Sequence, residues 1–86
     1  MPLLFSPDAF DGIPEHEAKL LMRKSEWLWD HRKEVTHFPL KANLNPYYKR
    51  EIGDYRILYT YDIDTDEMVI CLVGHRKNIY KRASGR

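Results

Sequence analysis

The chain has 86 residues, of which 43% are hydrophobic and 13% aromatic, and its formal net charge is +1. This length supports one hydrophobic core and the apolar content is too high for a disordered chain, so we expect a single domain over residues 1–86. One cysteine excludes an internal disulfide framework. No apolar run suits a signal peptide or approaches the roughly 20 residues that cross a bilayer, so we expect a cytoplasmic protein without membrane association.

The charge is unevenly distributed along the chain. Residues 1–40 hold five Lys or Arg against seven Asp or Glu, whereas residues 41–86 hold nine against six. Five of these basic residues lie in the last twelve positions, which contain no acid. A basic C-terminal surface suits a polyanionic partner. The alternative is a solvated tail that only keeps the chain soluble.

Residues 1–13 read as an irregular lead-in, and we do not assign Leu3–Phe5 to a strand, although its composition suits a short edge strand. One long helix is predicted from Pro14 to about Val35, because Pro suits the first helical position and acids and bases occupy the first and last turns. Apolar spacing predicts its buried stripe, which consists of Ala18, Leu21, Met22, Ser25, Leu28 and Trp29.

A connector over residues 36–46 precedes three predicted strands, near 47–52, 55–62 and 68–74. The third has almost no polar residue, so we expect it to be central and buried on both faces, with Cys71 as a small buried hydrophobe. The predicted fold is therefore α+β, with an N-terminal long helix packed on a small antiparallel sheet of three to four strands. The basic tail 81–86 is predicted to be disordered or ordered only by a partner.

Turn chemistry sets the register of these strands. Gly53-Asp54 reads as the two-residue loop of one hairpin, and the acidic segment 62–67 holds the turn of the next. The first turn places Arg56 opposite Glu51, and the second places Arg56 across from one of residues 73–75. Three strands therefore converge on one charged corner.

The groups at this corner suit cleavage of a phosphodiester without a metal, which requires a base, an acid and stabilisation of the phosphorane charge. The guanidinium groups of Arg56 and Arg76 match phosphate oxygens. His75 titrates near neutrality and can act as acid or base. Tyr80 is a candidate proton donor or base-stacking platform, and Lys49 could hold a flanking phosphate or polarise the nucleophile.

Several alternatives stay open at this level. Glu51 is either a general base or the structural ion-pair partner of Arg56, His75 could be a polar strand end, and Tyr80 could be core packing.

Further basic side chains are predicted to bind RNA, namely Arg50, Lys77, Lys81 and Arg82. The other histidines show no ligand-like spacing with Cys or carboxylates, so we expect neither a metal site nor a cofactor.

Four segments carry a family resemblance in this order and spacing: Pro39-Leu40-Lys41-x-Asn43-Leu44, Tyr48-Lys49, Gly53-Asp54-Tyr55-Arg56-Ile57-Leu58-Tyr59 and Val73-Gly74-His75-Arg76-Lys77-x-Ile79-Tyr80. Together they make residues 27–80 resemble the RelE/ParE toxin superfamily, and its RelE-type members most. The combination of Gly-Asp-Tyr-Arg with Gly-His-Arg and a following Tyr is the specific part of this resemblance.

The resemblance implies a toxin of a type II toxin–antitoxin pair. Such a toxin is a metal-independent endoribonuclease that cleaves mRNA on the ribosome and is neutralised by a cognate antitoxin protein. The family's functional residues correspond to Arg56, Arg76, Tyr80 and Lys49. Glu51 departs from the pattern, since some relatives have a second Lys there. The alternative on the same scaffold is a ParE-like gyrase inhibitor or an inactive partner-binding relative.

Overall fold

The computed structural model describes residues 2–41, 44 and 46–85. Its elements in chain order are β1 (Leu3–Phe5), α1 (Glu15–Asp30), β2 (Phe38–Pro39), β3 (Tyr48–Ile52), β4 (Tyr55–Asp62), β5 (Glu67–His75) and α2 (Ile79–Ser84). The strands form one sheet in the order β1-β5-β4-β3-β2, parallel between β1 and β5 and antiparallel elsewhere. Neither helix of this described part is long and apolar enough to cross a membrane.

The three long strands are joined by tight turns. Ile52 pairs with Tyr55 across a two-residue turn in which Gly53 has a φ of 57°, a conformation that glycine adopts without steric cost. In the resulting ladders Arg56 lies opposite Glu51 on β3 and opposite Gly74 on β5. Both pairings confirm the register that the turn residues predict.

One irregularity in the β4–β5 ladder determines which way β5 side chains point. Leu58 pairs with Leu72 whereas Tyr59 pairs with Ile70, so Cys71 is the extra residue of a β-bulge. The bulge reverses the alternation of faces along β5. Cys71 itself is only partly buried, in contrast to the expectation of a fully buried side chain. The β5 side chains in the core beneath α1 are Met68, Ile70 and Val73.

Both faces of the sheet carry a core. Under α1, the buried side chains are Ala9, Leu21, Leu28, Trp29, Ile57, Tyr59, Met68, Ile70 and Val73. On the opposite face, a smaller core contains Leu58, Leu72, Ile79 and Ala83, with Leu40, Leu44, Tyr47 and Tyr80 packed against it. β5 is therefore buried on both faces, as predicted, although β4 rather than β5 is the central strand.

The N-terminal and C-terminal segments differ from the sequence-based expectation. Leu3–Phe5 forms an edge strand parallel to β5, so the sheet is mixed and has five strands rather than an antiparallel three or four. The tail is not disordered over 81–84, because Ile79 and Ala83, four residues apart, give α2 an apolar face that packs on the sheet. Arg86 lies outside the described residues.

The long helix is also shorter than predicted. It ends at Asp30 instead of near Val35, and the chain then continues in turns. Arg32 helps to terminate it, because its Nη1 donates a 2.8 Å hydrogen bond to the carbonyl oxygen of Trp29. Of the predicted stripe, Met22 is 42% exposed and Ala18 is only partly buried, whereas Leu21, Ser25, Leu28 and Trp29 are buried.

A polar clamp fixes the end of α1 to the turn between β4 and β5. Arg32 Nε and Nη2 donate to Asp66 Oδ1 and Oδ2 at 2.7 and 2.8 Å, and the Tyr61 hydroxyl donates to Oδ1 at 2.7 Å. The hydrogen bonds from Arg32 and Tyr61 hold the pKa of the Asp66 carboxyl well below its usual value. Asp66 has a φ of 54°, which Asp and Asn tolerate better than most residues.

A second polar link lies beside this clamp. His37 Nε2 donates to the carbonyl oxygen of Arg32 at 2.8 Å, and its Nδ1 is hydrogen-bonded to the Tyr59 hydroxyl at 2.5 Å. Burial raises the pKa of Tyr59 to about 12, so this phenol stays protonated throughout the neutral range. The hydroxyl of a buried tyrosine thus has a polar partner, as buried polar groups require.

We expect Asp66→Asn to lower the melting temperature near neutral pH, because the amide keeps the backbone conformation but loses the charged bidentate pair. The pKa of Asp66 is depressed in the folded state, so its contribution is present above the carboxyl's unfolded pKa and lost as pH falls. The difference in melting temperature between the wild type and Asp66→Asn should therefore become smaller as the pH is lowered from about 5 to about 2. Thermal denaturation followed by circular dichroism measures it.

The matched control is Asp64→Asn, which removes an exposed carboxylate from the same turn. It should leave the melting temperature nearly unchanged. If Asp64→Asn and Asp66→Asn destabilise the protein equally, the clamp contributes nothing beyond general charge.

Candidate functional site

Charged side chains cross the sheet on the face opposite α1. Lys49 pairs with Leu58, which belongs to the smaller core, and Arg56 pairs with both Glu51 and Gly74. Because directly opposed residues project to the same face, these three charged side chains share that face. We call Lys49, Glu51 and Arg56 the charged row.

Arg56 is anchored at the turn end of the charged row. Its Nη1 donates to the carbonyl oxygens of Gly53 and Tyr55, each at 2.9 Å. Its Nε lies 3.7 Å from Glu51 Oε2, and the side chain is only 13% exposed. The guanidinium is therefore held in one orientation by the turn that precedes it.

Glu51 bridges the two cations of the row. Its Oε2 lies 3.4 Å from Lys49 Nζ and 3.7 Å from Arg56 Nε, and its side chain is 55% exposed. A cavity of about 350 Å³ adjoins this carboxylate, lined by Phe38, Lys49, Arg50 and Glu51. The carboxylate thus lies beside open space with a positive group on either side.

Arg76 follows the end of β5 at the same corner. Its backbone N–H donates to the carbonyl oxygen of Asp54 at 2.8 Å, and its Nε lies 3.6 Å from Asp54 Oδ1. The Arg76 side chain is 55% exposed, so it can reorient more easily than Arg56. Asp54 is not among the predicted site residues; Tyr55 pairs with His75, and Asp54 and Arg76 are the residues that flank this pair.

α2 lies over the sheet next to the charged row. Tyr80 is partly buried against the smaller core, on the row's side of the sheet, whereas Lys77, Lys81 and Arg82 are exposed. Gly74 permits the close approach of α2, because a Cβ there would lie 3.0 Å from Ile79 Cδ1 and 3.1 Å from Arg82 Nη1.

Two predicted site residues lie on the other face, beneath or beside α1. Arg50 pairs with Ile57 of the α1 core, and its guanidinium carbon is 5.2 Å from the centroid of the Trp27 ring. His75 pairs with Tyr55, and the two rings meet edge to face at 5.9 Å. The structure thus brings Lys49, Glu51 and Arg56 together but separates them from the side chains of Arg50 and His75.

Two carboxylates partly neutralise the three cations at this corner. Lys49 and Arg56 share Glu51, and Arg76 is paired with Asp54. Within residues 2–41, 44 and 46–85, no group of three or more His, Cys, Asp or Glu side chains is arranged to hold a metal ion. Asn43, one position of the resemblance motif, lies outside the described residues.

Comparison with known proteins supports the fold. No family model matches the chain, and no curated protein sequence matches it. Among solved structures, a chain in the crystal structure of the RelB–RelE antitoxin–toxin complex from Methanococcus jannaschii is similar, with a TM-score of 0.57 and 23% sequence identity. The match covers 92% of this chain and 96% of that chain, so the two share a fold over nearly their whole lengths.

The different burial of the two arginines generates a prediction about stability. Arg56→Ala should lower the free energy of unfolding by about 1–2 kcal/mol, because two carbonyl groups of the turn lose a charged donor. Arg76→Ala should change it by no more than ~0.5 kcal/mol, since its ion pair is solvent-exposed. Urea denaturation of the two variants measures both values. Equal losses would show that Arg56 is not anchored as described.

Proposed function

We propose that this chain is the toxin of a type II toxin–antitoxin pair and that it cleaves mRNA on the ribosome in a metal-independent reaction. The observation that carries this proposal is the charged row with Arg76 at its end, built on a rigid sheet. Two further observations support it: the fold is shared with a chain of an antitoxin–toxin complex, and the sequence motifs resemble those of RelE-type toxins.

The arginines bind the scissile phosphate in this scheme. Arg56 is oriented in advance by the carbonyl groups of its turn, so little reorganisation is needed when charge develops on the phosphorane oxygens. Arg76 is exposed and supplies a second guanidinium from the neighbouring strand end. Lys49 neutralises the flanking phosphate. Each of these cations exchanges a carboxylate partner for a phosphate oxygen on binding.

Proton transfers are assigned to groups on the same face. The Glu51 carboxylate takes the proton of the 2′-hydroxyl, and the 2′-oxygen attacks phosphorus. The bond to the 5′-oxygen breaks as the Tyr80 phenol donates its proton to that oxygen. The products are a 2′,3′-cyclic phosphate and a 5′-hydroxyl. His75 has no part in this scheme because its side chain is on the α1 face.

The partner protein is an antitoxin that covers the open edge of β3. β2 pairs only with Tyr48 and Lys49, so the outer edge of β3 over 50–52 has no strand partner within the described part of the chain. Open strand edges accept an added strand from another chain. An acidic segment there would also neutralise Lys49 and Arg50, and its binding would weaken as salt is added.

Expression of this chain alone should arrest growth by stopping translation. Primer extension on mRNA from the arrested cells should show new 5′ ends inside reading frames, and co-expression of the neighbouring antitoxin gene should abolish them. The matched control is Arg76→Ala, which we expect to fold but not to cleave. Arrest with intact mRNA and inhibited DNA gyrase would instead support the gyrase-inhibitor alternative.

Glu51→Gln separates the two roles left open for this carboxylate. The amide cannot accept the proton, so we expect cleavage to fall by roughly 100- to 10,000-fold, the usual contribution of a general base. Binding of uncleavable RNA should be unchanged or tighter, because Lys49 and Arg56 lose their competing anion. Single-turnover cleavage and fluorescence anisotropy measure the two effects. If Glu51→Gln still cleaves RNA and binds uncleavable RNA more tightly, Glu51 is only an ion-pair partner and not the general base.

A further inference from the structure

A second cationic feature lies at the edge of the sheet, apart from the charged row. β1 pairs only with residues 68–70 of β5, so the end of β5 extends beyond it. There a cleft of about 350 Å³ opens between the loop before α1, the end of β5 and α2. The side chains that shape it are Ile13, Tyr55, His75, Asn78, Lys81 and Arg82.

The polar groups that line this cleft favour an anion. Lys81 and Arg82 are exposed, and neither has an ion-pair partner among the described residues. His75 Nδ1 accepts a 3.1 Å hydrogen bond from the backbone N–H of Lys77, so its other ring nitrogen, Nε2, carries the proton. None of the described lining residues is acidic, although Tyr55 donates its hydroxyl hydrogen bond to Glu17 nearby.

This cleft contrasts with the charged row in its balance of charge. Lys49, Arg56 and Arg76 each have a carboxylate within 4 Å, whereas Lys81 and Arg82 have none in the described part of the chain. The cleft is therefore one place at this end of the molecule where no described carboxylate compensates the positive charge. An anionic ligand gains more from such a site, because no internal carboxylate has to be displaced.

Gly74 connects the cleft to the charged row. It pairs with Arg56 across the ladder, and opposed residues in such a ladder have Cα atoms roughly 4.5–5.5 Å apart. On the face that Gly74 shares with Arg56, the absence of a Cβ leaves room for the Arg82 guanidinium, since a Cβ would lie 3.1 Å from Arg82 Nη1. A chain that runs off the row past Gly74 therefore enters the cleft directly.

We propose that this cleft binds a backbone phosphate of the single-stranded RNA substrate, one that follows or precedes the phosphate held at Arg56 and Arg76. The inference rests on the proposed function, since it names a second subsite for the same substrate. Lys81 and Arg82 neutralise the phosphate, and the proton-bearing nitrogen of His75 and the Asn78 amide donate hydrogen bonds to its oxygens. In this proposal His75 binds the second phosphate from the α1 face of the sheet, where its side chain lies.

The test measures binding of a 2′-O-methyl RNA hexamer, which lacks the attacking hydroxyl, by fluorescence anisotropy at several salt concentrations. The double variant Lys81→Gln/Arg82→Gln should bind roughly tenfold more weakly at about 0.1 M salt. The slope of log affinity against log salt should decrease by about 0.7, because the variant neutralises one phosphate fewer. The matched control is Arg23→Gln/Lys24→Gln, which removes two exposed charges from α1 and should leave the slope unchanged.

A second variant tests the geometry without changing charge. Gly74→Ala should weaken binding of the hexamer, because the added Cβ would lie 3.0 Å from Ile79 Cδ1 and 3.1 Å from Arg82 Nη1 and so push α2 and the Arg82 guanidinium away from the strand. Its melting curve verifies folding. If it does not fold, Asn78→Ala replaces it as the neutral probe and should weaken binding without altering the salt slope.

Several results would overturn the inference. One is an equal loss of hexamer affinity in the Lys81→Gln/Arg82→Gln variant and in its α1 control, and another is an unchanged affinity in the Lys81→Gln/Arg82→Gln variant. A third is a nucleoside 5′-monophosphate that binds as tightly as the hexamer and depends equally on Lys81 and Arg82. The last result would assign the cleft to a free nucleotide. If the protein cleaves RNA but its RNA binding does not depend on Lys81 and Arg82, only the subsite is refuted. If RNA binding depends on these two residues but no RNA is cleaved, only the nuclease function is refuted.

Discussion

The structure depends on the register of β4, from which both neighbouring strands take their positions. β4 pairs with β5 along its whole length and with β3 over Tyr55–Tyr59. Because side chains alternate between faces, a slip of one residue would exchange every side chain of β4 between the two faces. Ile57 would then leave the core beneath α1, and Arg56 would enter it. The cost of burying that guanidinium without its turn carbonyls opposes the slip, so the residue that anchors the site also protects the register.

The site combines one nearly buried, hydrogen-bonded guanidinium with one that is half exposed. Arg56 is nearly buried and bound to two carbonyl groups, whereas Arg76 is half exposed and held by a single ion pair. In the proposed reaction, a fixed donor lowers the reorganisation needed in the transition state, and an exposed donor is free to reorient toward the phosphate. The carboxylates of Glu51 and Asp54 keep both cations satisfied before any ligand arrives. The sheet therefore carries this charge without long-range repulsion that would weaken its packing.

Much of this arrangement could be predicted from the sequence, and the reasons for the remainder are physical. Turn residues at Gly53-Asp54 specify a hairpin, and a hairpin fixes its register, so the pairs of Arg56 were predictable. The sheet faces on which the Arg50 and His75 side chains lie were not predictable. The sequence pattern does not show which face α1 covers, and the bulge at Cys71 reverses the alternation of side chains on β5. The pairing of β1 with β5 was not predicted, because parallel strands are not joined by a tight turn whose residues could be recognised in the sequence. α2, with six residues, is too short for periodicity to identify.

The parallel pairing of β1 with β5 has a consequence for how the chain folds. Leu3 lies beside Met68, so this pairing joins two segments that are far apart in the chain, and β1 must wait until β5 has been synthesised. The hairpins of β3, β4 and β5 close short loops and can form early, but contacts of such high sequence separation form late and raise the contact order of the domain. A nascent chain therefore cannot complete the core beneath α1 until Met68, Ile70 and Val73 of β5 have left the ribosome. An interrupted translation product would lack β5, Arg76 and α2 together, and with them any assembled site.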